Sequence, residues 1–323
     1  MSWLSDNPFY TKRFAIYVGQ RCREQSIKSV AEELNLDWKT VKELDKEYMR
    51  EQLACAGESK PGCIGVDEIS VKQGHEYRIV VSDLEQRRVI WFGGTDRSQE
   101  SMDEFYKWLG EAKTRQIRLI VMDMWKAFRE SARLYAPHAE VLYDKFHIIR
   151  HLGMALDDVR RGEVSRLQGK HRKWVKGQRY NLLSRKENLD LDGKRALKEL
   201  FKRNQRLNKA YLLKESFGQL WSYTYPASAL KFFGNWSDSL KRQRLKPYEK
   251  FAKMVKAHWD GIVSFCKIEN KVSLGFVEGL NNKIRQIQRR AYGLRDEEYL
   301  RLKVMTCTLP DLKTLQNSTK LPT

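Results

Sequence analysis

Three acidic residues, Asp67, Asp123 and Glu278, stand where carboxylates could share one metal site. Asp123 follows the apolar stretch 117–121, which predicts a short buried strand, and precedes a stretch with helical character. A carboxylate at the C-terminal end of a central strand lies at the sheet edge where α/β folds bind ligands and metals. Taken alone, Asp123 is explained more simply as the cap of the following helix.

Asp67 lies inside the apolar, β-branched stretch 64–71, which predicts a strand. Aspartate is disfavoured in strands and is costly to bury without a partner. Two carboxylates directed at one point repel each other unless a cation neutralises them, and Mg²⁺ or Mn²⁺ prefers such oxygen ligands. Alternation along the strand directs Glu68 to the other face, so Asp67 is the predicted ligand. The alternative is a solvent-facing aspartate on an edge strand.

Glu278 belongs to a predicted amphipathic helix whose polar face it shares with Asn281 and Arg285, three and seven residues further on. Lys283 and Arg289 add positive charge to the same helix. This combination suits a metal site beside a nucleic-acid backbone, and Lys283, Arg285 and Arg289 are predicted DNA contacts. The alternative is an ordinary solvated face with a Glu–Arg bridge.

Composition indicates a polyanionic partner. The 323 residues include 61 Lys and Arg against 41 Asp and Glu, a formal charge of +20, and 41% are hydrophobic, which is typical of a globular protein. An anionic membrane surface or simple solubility would also explain the charge. Nucleic acid is favoured because the basic residues occur in every segment and are interleaved with Trp and Tyr.

Several classes are disfavoured. No run of about twenty apolar residues predicts a membrane span, and the first residues lack a signal pattern. The five cysteines form no Cys-x-x-Cys pair, which argues against a zinc ribbon or a disulfide framework and for reduced intracellular thiols.

The N-terminal residues predict a helix-turn-helix. Helical spacing of apolar residues covers three stretches: 11–23, 26–34 and 38 onward. The turn between the last two is short, and the final helix would present Lys39, Thr40 and Lys42 to DNA. A plain three-helix packing unit is the alternative.

The following stretch predicts a mixed sheet. Strand signals cover 62–71, 75–83, 88–92, 117–121 and 140–143, with a helix starting at a capping box, Ser101 to Glu104, and another over 126–135. This order is the ribonuclease H-like arrangement, which places a carboxylate on the first strand beside one at the end of the fourth. We therefore predict an α/β fold: a helix-turn-helix over 1–58, a ribonuclease H-like core over 59–147 and 263–323, and an all-α insertion over 148–262.

Four stretches together resemble the ISL3 family of bacterial insertion-sequence transposases. They are Gly65-Val66-Asp67-Glu68, Met122-Asp123-Met124-Trp125, Asp144-Lys145-Phe146-His147, and Glu278-Gly279-Leu280-Asn281-Asn282-Lys283-Ile284 continuing to Gly293. The resemblance implies a DDE transposase in which Asp67, Asp123 and Glu278 hold two Mg²⁺ (or Mn²⁺) ions. It also assigns supporting roles to Asp144 and His147, which match an aspartate-x-x-histidine motif, and to Asn281.

The resemblance further implies the partners and the compartment. The expected substrate is double-stranded DNA, both the element ends and the target. The expected enzyme is a homodimer or a larger synaptic multimer. It would act in the bacterial cytoplasm, in association with the nucleoid. Typical members begin with a cysteine-rich zinc ribbon that this sequence lacks, so a short variant or truncated copy is expected. The alternatives are a non-catalytic DNA-binding protein and a ribonuclease H-fold nuclease that cuts without joining.

Overall fold

The computed structural model describes residues 3–72, 76–272, 275–291 and 296–318. The chain divides into two compact units. The first comprises Met1–Ala139 and Ser273–Thr323, and the second comprises Glu140–Val272. The domain boundaries derived from the sequence remain a prediction.

Helices dominate both units. In chain order the elements are α1 (Lys12–Glu24), α2 (Ile27–Leu34), α3 (Trp38–Ala56), β1 (Cys63–Lys72), β2 (Glu76–Asp83), β3 (Arg88–Gly93), α4 (Gln99–Leu109), α5 (Glu111–Thr114), β4 (Leu119–Met122), α6 (Lys126–Tyr135), β5 (Glu140–Tyr143), α7 (Lys145–Ser165), α8 (Gly169–Gly177), α9 (Arg179–Leu183), α10 (Leu191–Arg203), α11 (Gln205–Phe217), α12 (Pro226–Leu240), α13 (Lys246–Ala257), α14 (Trp259–Val263), α15 (Gly275–Arg290), α16 (Glu297–Thr306) and α17 (Leu312–Ser318).

The helix-turn-helix predicted from the sequence is confirmed. Ser26 starts α2 by accepting a hydrogen bond from the Ser29 amide, and Asp37 starts α3 by accepting one from the Lys39 amide. Asn35 ends α2 in the left-handed conformation, with φ at 52°, which makes the tight turn. The three helices enclose a small apolar core of Ala15, Val18, Cys22, Val30, Ala31, Val41 and Leu44.

The predicted ribonuclease H-like sheet is also confirmed. Its five strands lie in the order β3-β2-β1-β4-β5. β1 pairs antiparallel with β2 and parallel with β4, while β2 pairs antiparallel with β3. The turn predicted at Gln73 and Gly74 lies outside the described residues.

One predicted boundary is wrong. The capping box was expected to start a helix at Ser101, but α4 starts at Gln99, and Ser98 accepts the capping hydrogen bond from the Ser101 amide at 3.1 Å. The Ser101 hydroxyl instead bonds Asp96 at 2.8 Å. Because the chain bends at Asp96, Ser98 caps the helix, and the predicted capping box at Ser101 does not form.

One face of the sheet is covered by helices from the end of the chain. Leu280 and Ile284 of α15, with Leu300 and Val304 of α16, share a buried cluster with strand residues. The strand members are Ile69, Val80, Val89 and Phe92. This packing matters for the site because α15 is the helix that carries Glu278.

The second unit is almost entirely helical, as its sequence predicted. Its core is aromatic: Phe217 makes edge contacts with Trp236 and Phe251, each with ring centroids 5.0 Å apart. Among the described residues, no helix is long and apolar enough to cross a membrane. All five cysteines are free thiols.

Candidate active site

The parallel pairing of β1 and β4 aligns two of the predicted carboxylates. Gly65 of β1 lies beside Val121 of β4. Asp67 lies two residues further along β1, and Asp123 follows the last residue of β4, so the register directs both toward the C-terminal end of β4. The capping alternative for Asp123 does not describe the structure, because Trp125 occupies the N-cap position of α6 and makes no side-chain capping bond. Asp123 Oδ1 instead accepts the Met124 amide at 2.6 Å.

Helix α15 lies directly on β1 at this point. Asn281 Nδ2 donates a hydrogen bond to Asp67 Oδ2 at 2.5 Å, across 214 positions of sequence. Gly65 favours this close approach, because a Cβ there would lie 3.1 Å from Val277 Cγ2 and 2.9 Å from Leu84 Cδ2, and these side chains would have to shift. The absence of a side chain at Gly65 therefore allows α15 to reach the carboxylate.

Glu278 sits one turn before Asn281 on the same helix, and its side chain is exposed. The structure thus brings its helix to Asp67 without gathering the three carboxylates into one ligand set. Within the described ranges, no three His, Cys, Asp or Glu side chains are close enough to hold a metal ion. The role of Glu278 therefore remains a prediction.

The site has a local excess of negative charge. Burial raises the pKa of the Glu68 carboxyl, and the charges of Asp67 and Asp123 raise it further. Arg97 opposes this effect through a hydrogen bond from Nη1 to Glu68 Oε1 at 3.1 Å. The negative charges of Asp67 and Asp123 therefore act on Glu68, and a cation would relieve this repulsion.

Arg97 is a site residue that the sequence did not reveal. Its guanidinium lies 4.3 Å from the ring centroid of Tyr77 and 4.7 Å from that of Trp125. Trp125 Nε1 donates to the Arg97 carbonyl at 2.7 Å, which fixes the loop to the turn after Asp123. No spacing pattern marks Arg97, because its partners come from three separate segments.

The donor set suits a hard divalent cation. Asn281 is buried beside Asp67, and its Oδ1 has no hydrogen-bond partner among the described residues. An amide oxygen and carboxylates are ligands that Mg²⁺ and Mn²⁺ accept. The side chains of Asp67, Asp123 and Asn281 therefore have the chemistry that such an ion accepts.

Asp144 and His147 lie in the second unit, at the start of α7. Asp144 is buried and caps this helix, accepting the Phe146 amide at 2.8 Å. His147 follows in the first turn, with its ring 5.9 Å from that of Phe146. The capping bond gives Asp144 a structural role, and a supporting catalytic role for either residue remains a prediction.

The predicted DNA contacts of the helix-turn-helix differ in their surroundings. Lys39 is exposed and Thr40 is half-buried on α3. Lys42 is tied down, with Nζ 2.8 Å from Asp296 Oδ2. Hydrogen bonding to Lys42 lowers the pKa of the Asp296 carboxyl, because the ion pair stabilises its charged form. Lys42 would have to leave Asp296 to contact DNA.

The basic residues of α15 remain available to a polyanion. Lys283, Arg285 and Arg289 are exposed. Lys283 and Arg289 also line a cleft of 810 Å³ within the first unit, together with Arg23 and Lys303. Positive side chains thus extend along the helix that carries Glu278, as a DNA backbone would require.

A ribonuclease H-like sheet with neighbouring carboxylates, joined to a helix-turn-helix, is the arrangement expected of an enzyme that acts on DNA. Comparison with known families is consistent with this class. Residues 64–304 match a family model described as transposase, and residues 1–49 match the helix-turn-helix domain of transposase family ISL3. The chain belongs to the ISL3 family of transposases, whose members generally use a divalent metal ion.

Individual relatives agree. The chain is 32% identical over 307 residues to the transposase for insertion sequence element IS1001 of Bordetella parapertussis, covering 94% of this chain and 75% of that one. It is 27% identical over 261 residues to the transposase for IS1557 of Mycobacterium tuberculosis. That match covers 73% of this chain and 58% of the relative.

Proposed function

We propose that this transposase cleaves DNA at the ends of an insertion sequence and joins the freed 3′ ends to target DNA at one site. Asp67, Asp123 and Glu278 would hold two Mg²⁺ or Mn²⁺ ions, with Asn281 in support. The observation that carries the proposal is the contact of α15 with β1, where Asn281 bonds Asp67 at 2.5 Å. Glu278 lies one helical turn before Asn281 on α15, which supports its assignment to the same site.

The residues of the chain would each contribute to the reaction. When bound, the divalent ions supply an activated water and stabilise the leaving 3′ oxygen of the phosphodiester. Asp67 on β1 and Asp123 directly after β4 would supply two of the carboxylates, and Glu278 would complete the set by turning its exposed carboxylate toward them. Lys283, Arg285 and Arg289 bind the backbone that leads to the site, while Lys39 and Thr40 contact the DNA held by the helix-turn-helix.

A cleavage assay tests the proposal. The full chain is incubated with duplexes carrying the parent element's ends, in Mg²⁺ or in EDTA. Nicks at the element ends and joined products are expected only with Mg²⁺. Asp123→Ala and Glu278→Gln should each abolish both products while leaving DNA binding intact.

Glu104→Ala provides the matched control, because Glu104 is an exposed acid on α4 within the same unit. It should behave as the wild type. Cleavage by Asp123→Ala at the wild-type rate would contradict the assigned site. Binding without cleavage by the wild-type chain would instead favour a non-catalytic DNA-binding protein, and cleavage without joined products would favour a nuclease.

We propose in addition that the active form is a homodimer or a larger multimer, because two element ends must be held together for joining. Light scattering of the chain with and without end-bearing DNA tests this. A complex containing one chain and one end in the presence of joined products would contradict it.

A further inference from the structure

The second unit contains a strongly basic segment that the proposed chemistry does not use. Residues 164–186 include eight lysines and arginines and no acidic residue. Half of these cations lie on α8: Lys170, Arg172, Lys173 and Lys176. A run of charge is often only a solvated face, so the arrangement of these side chains decides its meaning.

The inner side of α8 is held in place. Val175 is buried, and the guanidinium of Arg203 lies 5.9 Å from the ring of Trp174. Arg160 of α7 also donates to the Lys176 carbonyl at 3.4 Å. These contacts fix which side of α8 faces outward, so the exposed side is a defined surface.

The outer side of α8 is uniformly positive. Lys170, Arg172, Lys173 and Lys176 are all exposed, and at 100° per residue they lie within an arc of about 160° that excludes Val175. Several are three or four positions apart, where like charges destabilise a helix. No carboxylate in the described part of the chain lies within 4.0 Å of any of the four, so the fold leaves this repulsion uncompensated.

A neighbouring helix shows the usual arrangement. On α10, Lys202 pairs with Glu199 at 3.0 Å and Arg195 pairs with Asp192 at 3.6 Å. The cations of α10 are therefore partly neutralised by their own helix, as on an ordinary solvated surface. The contrast indicates that the charge of α8 is balanced by a partner outside the chain.

Residues just beyond α8 extend the surface. Arg179 and Tyr180 follow at the start of α9, and the Tyr180 side chain is 74% exposed. The Arg179 guanidinium lies 5.8 Å from the Tyr180 ring centroid. Arg179 Nε also lies 3.5 Å from Asp157 Oδ1, so this cation is partly neutralised and the charge of the surface comes mainly from α8.

We infer that the outer face of α8 is a second DNA-binding surface, which contacts the phosphates of double-stranded DNA without reading its sequence. Each cation that meets a phosphate releases a condensed counterion, so such a surface contributes affinity that weakens with salt. This binding is separate from the helix-turn-helix in the first unit. It also does not depend on the catalytic assignment of Asp67, Asp123 or Glu278.

The salt dependence of DNA binding tests the inference. In the full chain, Lys170, Arg172, Lys173 and Lys176 are replaced together by glutamine, which keeps helix propensity nearly unchanged. The control replaces Lys194, Arg195, Lys198 and Lys202 of α10, which removes the same charge from the same unit. Dissociation constants are measured by fluorescence anisotropy from about 50 to 200 mM salt, with an element-end duplex and a scrambled duplex.

In a plot of log K against log salt concentration, the magnitude of the slope should fall by about 0.9 for each phosphate contact that the α8 variant lacks. The total decrease should be about 2–4, and it should be the same on both duplexes. The α10 control should change the slope by less than about 1. An unchanged slope for the α8 variant, or equal losses in both variants, would overturn the inference. A loss of affinity confined to the element-end duplex would also overturn the inference, because the proposed contacts do not read sequence. Binding to phosphatidylserine vesicles is measured as well, and an α8 variant that loses only this binding would overturn the inference too. Circular dichroism of both variants verifies that the helices are retained.

Discussion

A buried ion pair is expected to hold the helix-turn-helix against the catalytic part of the first unit. Asp45 of α3 is fully buried, and its Oδ2 lies 2.6 Å from Lys303 Nζ of α16. Tyr299 donates to the same oxygen at 2.5 Å. Lys303→Met removes the cation and leaves the carboxylate buried, which should cost about 3–5 kcal/mol. The double variant Asp45→Leu with Lys303→Met removes both charges and should be much closer to the wild type.

The loss should depend on pH in a defined direction. Burial raises the pKa of the Asp45 carboxyl, and Lys303 opposes that rise. Without Lys303 the folded-state pKa rises further above that of the unfolded chain. Below the pKa of the unfolded chain, Asp45 is buried in its neutral form and the folded state keeps its stability. This stability is lost as pH increases through the folded-state pKa, because the buried carboxyl must then be charged. The Lys303→Met deficit should therefore be larger at pH 8 than at pH 5.

Hydrogen exchange of the α3 and α16 amides measures this locally, because two units in one chain make a single unfolding free energy ill-defined. Arg301→Met is the control, since Arg301 is exposed on the same helix. The reasoning would be refuted by a Lys303→Met deficit below about 1 kcal/mol, or by a double variant as unstable as the single one.

Three further outcomes are expected. Gly65→Val should displace α15 from β1 and destabilise this packing by about 1–3 kcal/mol. It should therefore abolish strand cleavage of end-bearing DNA. Normal cleavage would contradict the packing of Val277 over Gly65. Arg97→Ala should lower the local opening free energy of the β1 amides by about 1–3 kcal/mol in hydrogen exchange, because Glu68 loses its partner, and Arg97→Lys should be intermediate because it keeps charge without planar stacking. Burial raises the thiol pKa of Cys22 to about 12 and of Cys307 to about 11, which lowers the thiolate fraction at pH 8. Iodoacetamide followed by mass spectrometry should therefore label half-buried Cys55 first, and equal labelling of Cys22 would contradict the burial.

The docking of the helix-turn-helix has a consequence for DNA recognition. Lys42 and Lys46 of α3 both lie within 3 Å of Asp296 Oδ2, at 2.8 and 2.9 Å. Lys46 also pairs with Glu298 at 3.0 Å. The carboxylate of Asp296, at the start of α16, thus pairs with Lys42, which the sequence predicted to contact DNA. On α3, Lys39 is the more accessible cation.

The sequence by itself determined the local structure. The helical spacing of apolar residues defined α1 to α3, and the β-branched stretches defined the strands, because both depend on neighbours within a few positions. The stretch 117–121 followed by Asp123 also located a carboxylate at a strand end. The start of α4 was missed because Ser98 and Ser101 offer competing caps whose choice depends on the bend at Asp96.

The tertiary structure decided which of these residues meet. The Asp67–Asn281 bond spans 214 positions, and the position of Arg97 between Tyr77 and Trp125 joins three segments. Neither has a periodic signature, since both depend on sheet register and on how closely a helix approaches a glycine. Lys42 shows the same limit: its position on α3 was predictable, but its ion pair with Asp296 was not. Sequence pattern fixes the face on which a side chain lies, whereas the partner on that face depends on packing between distant elements.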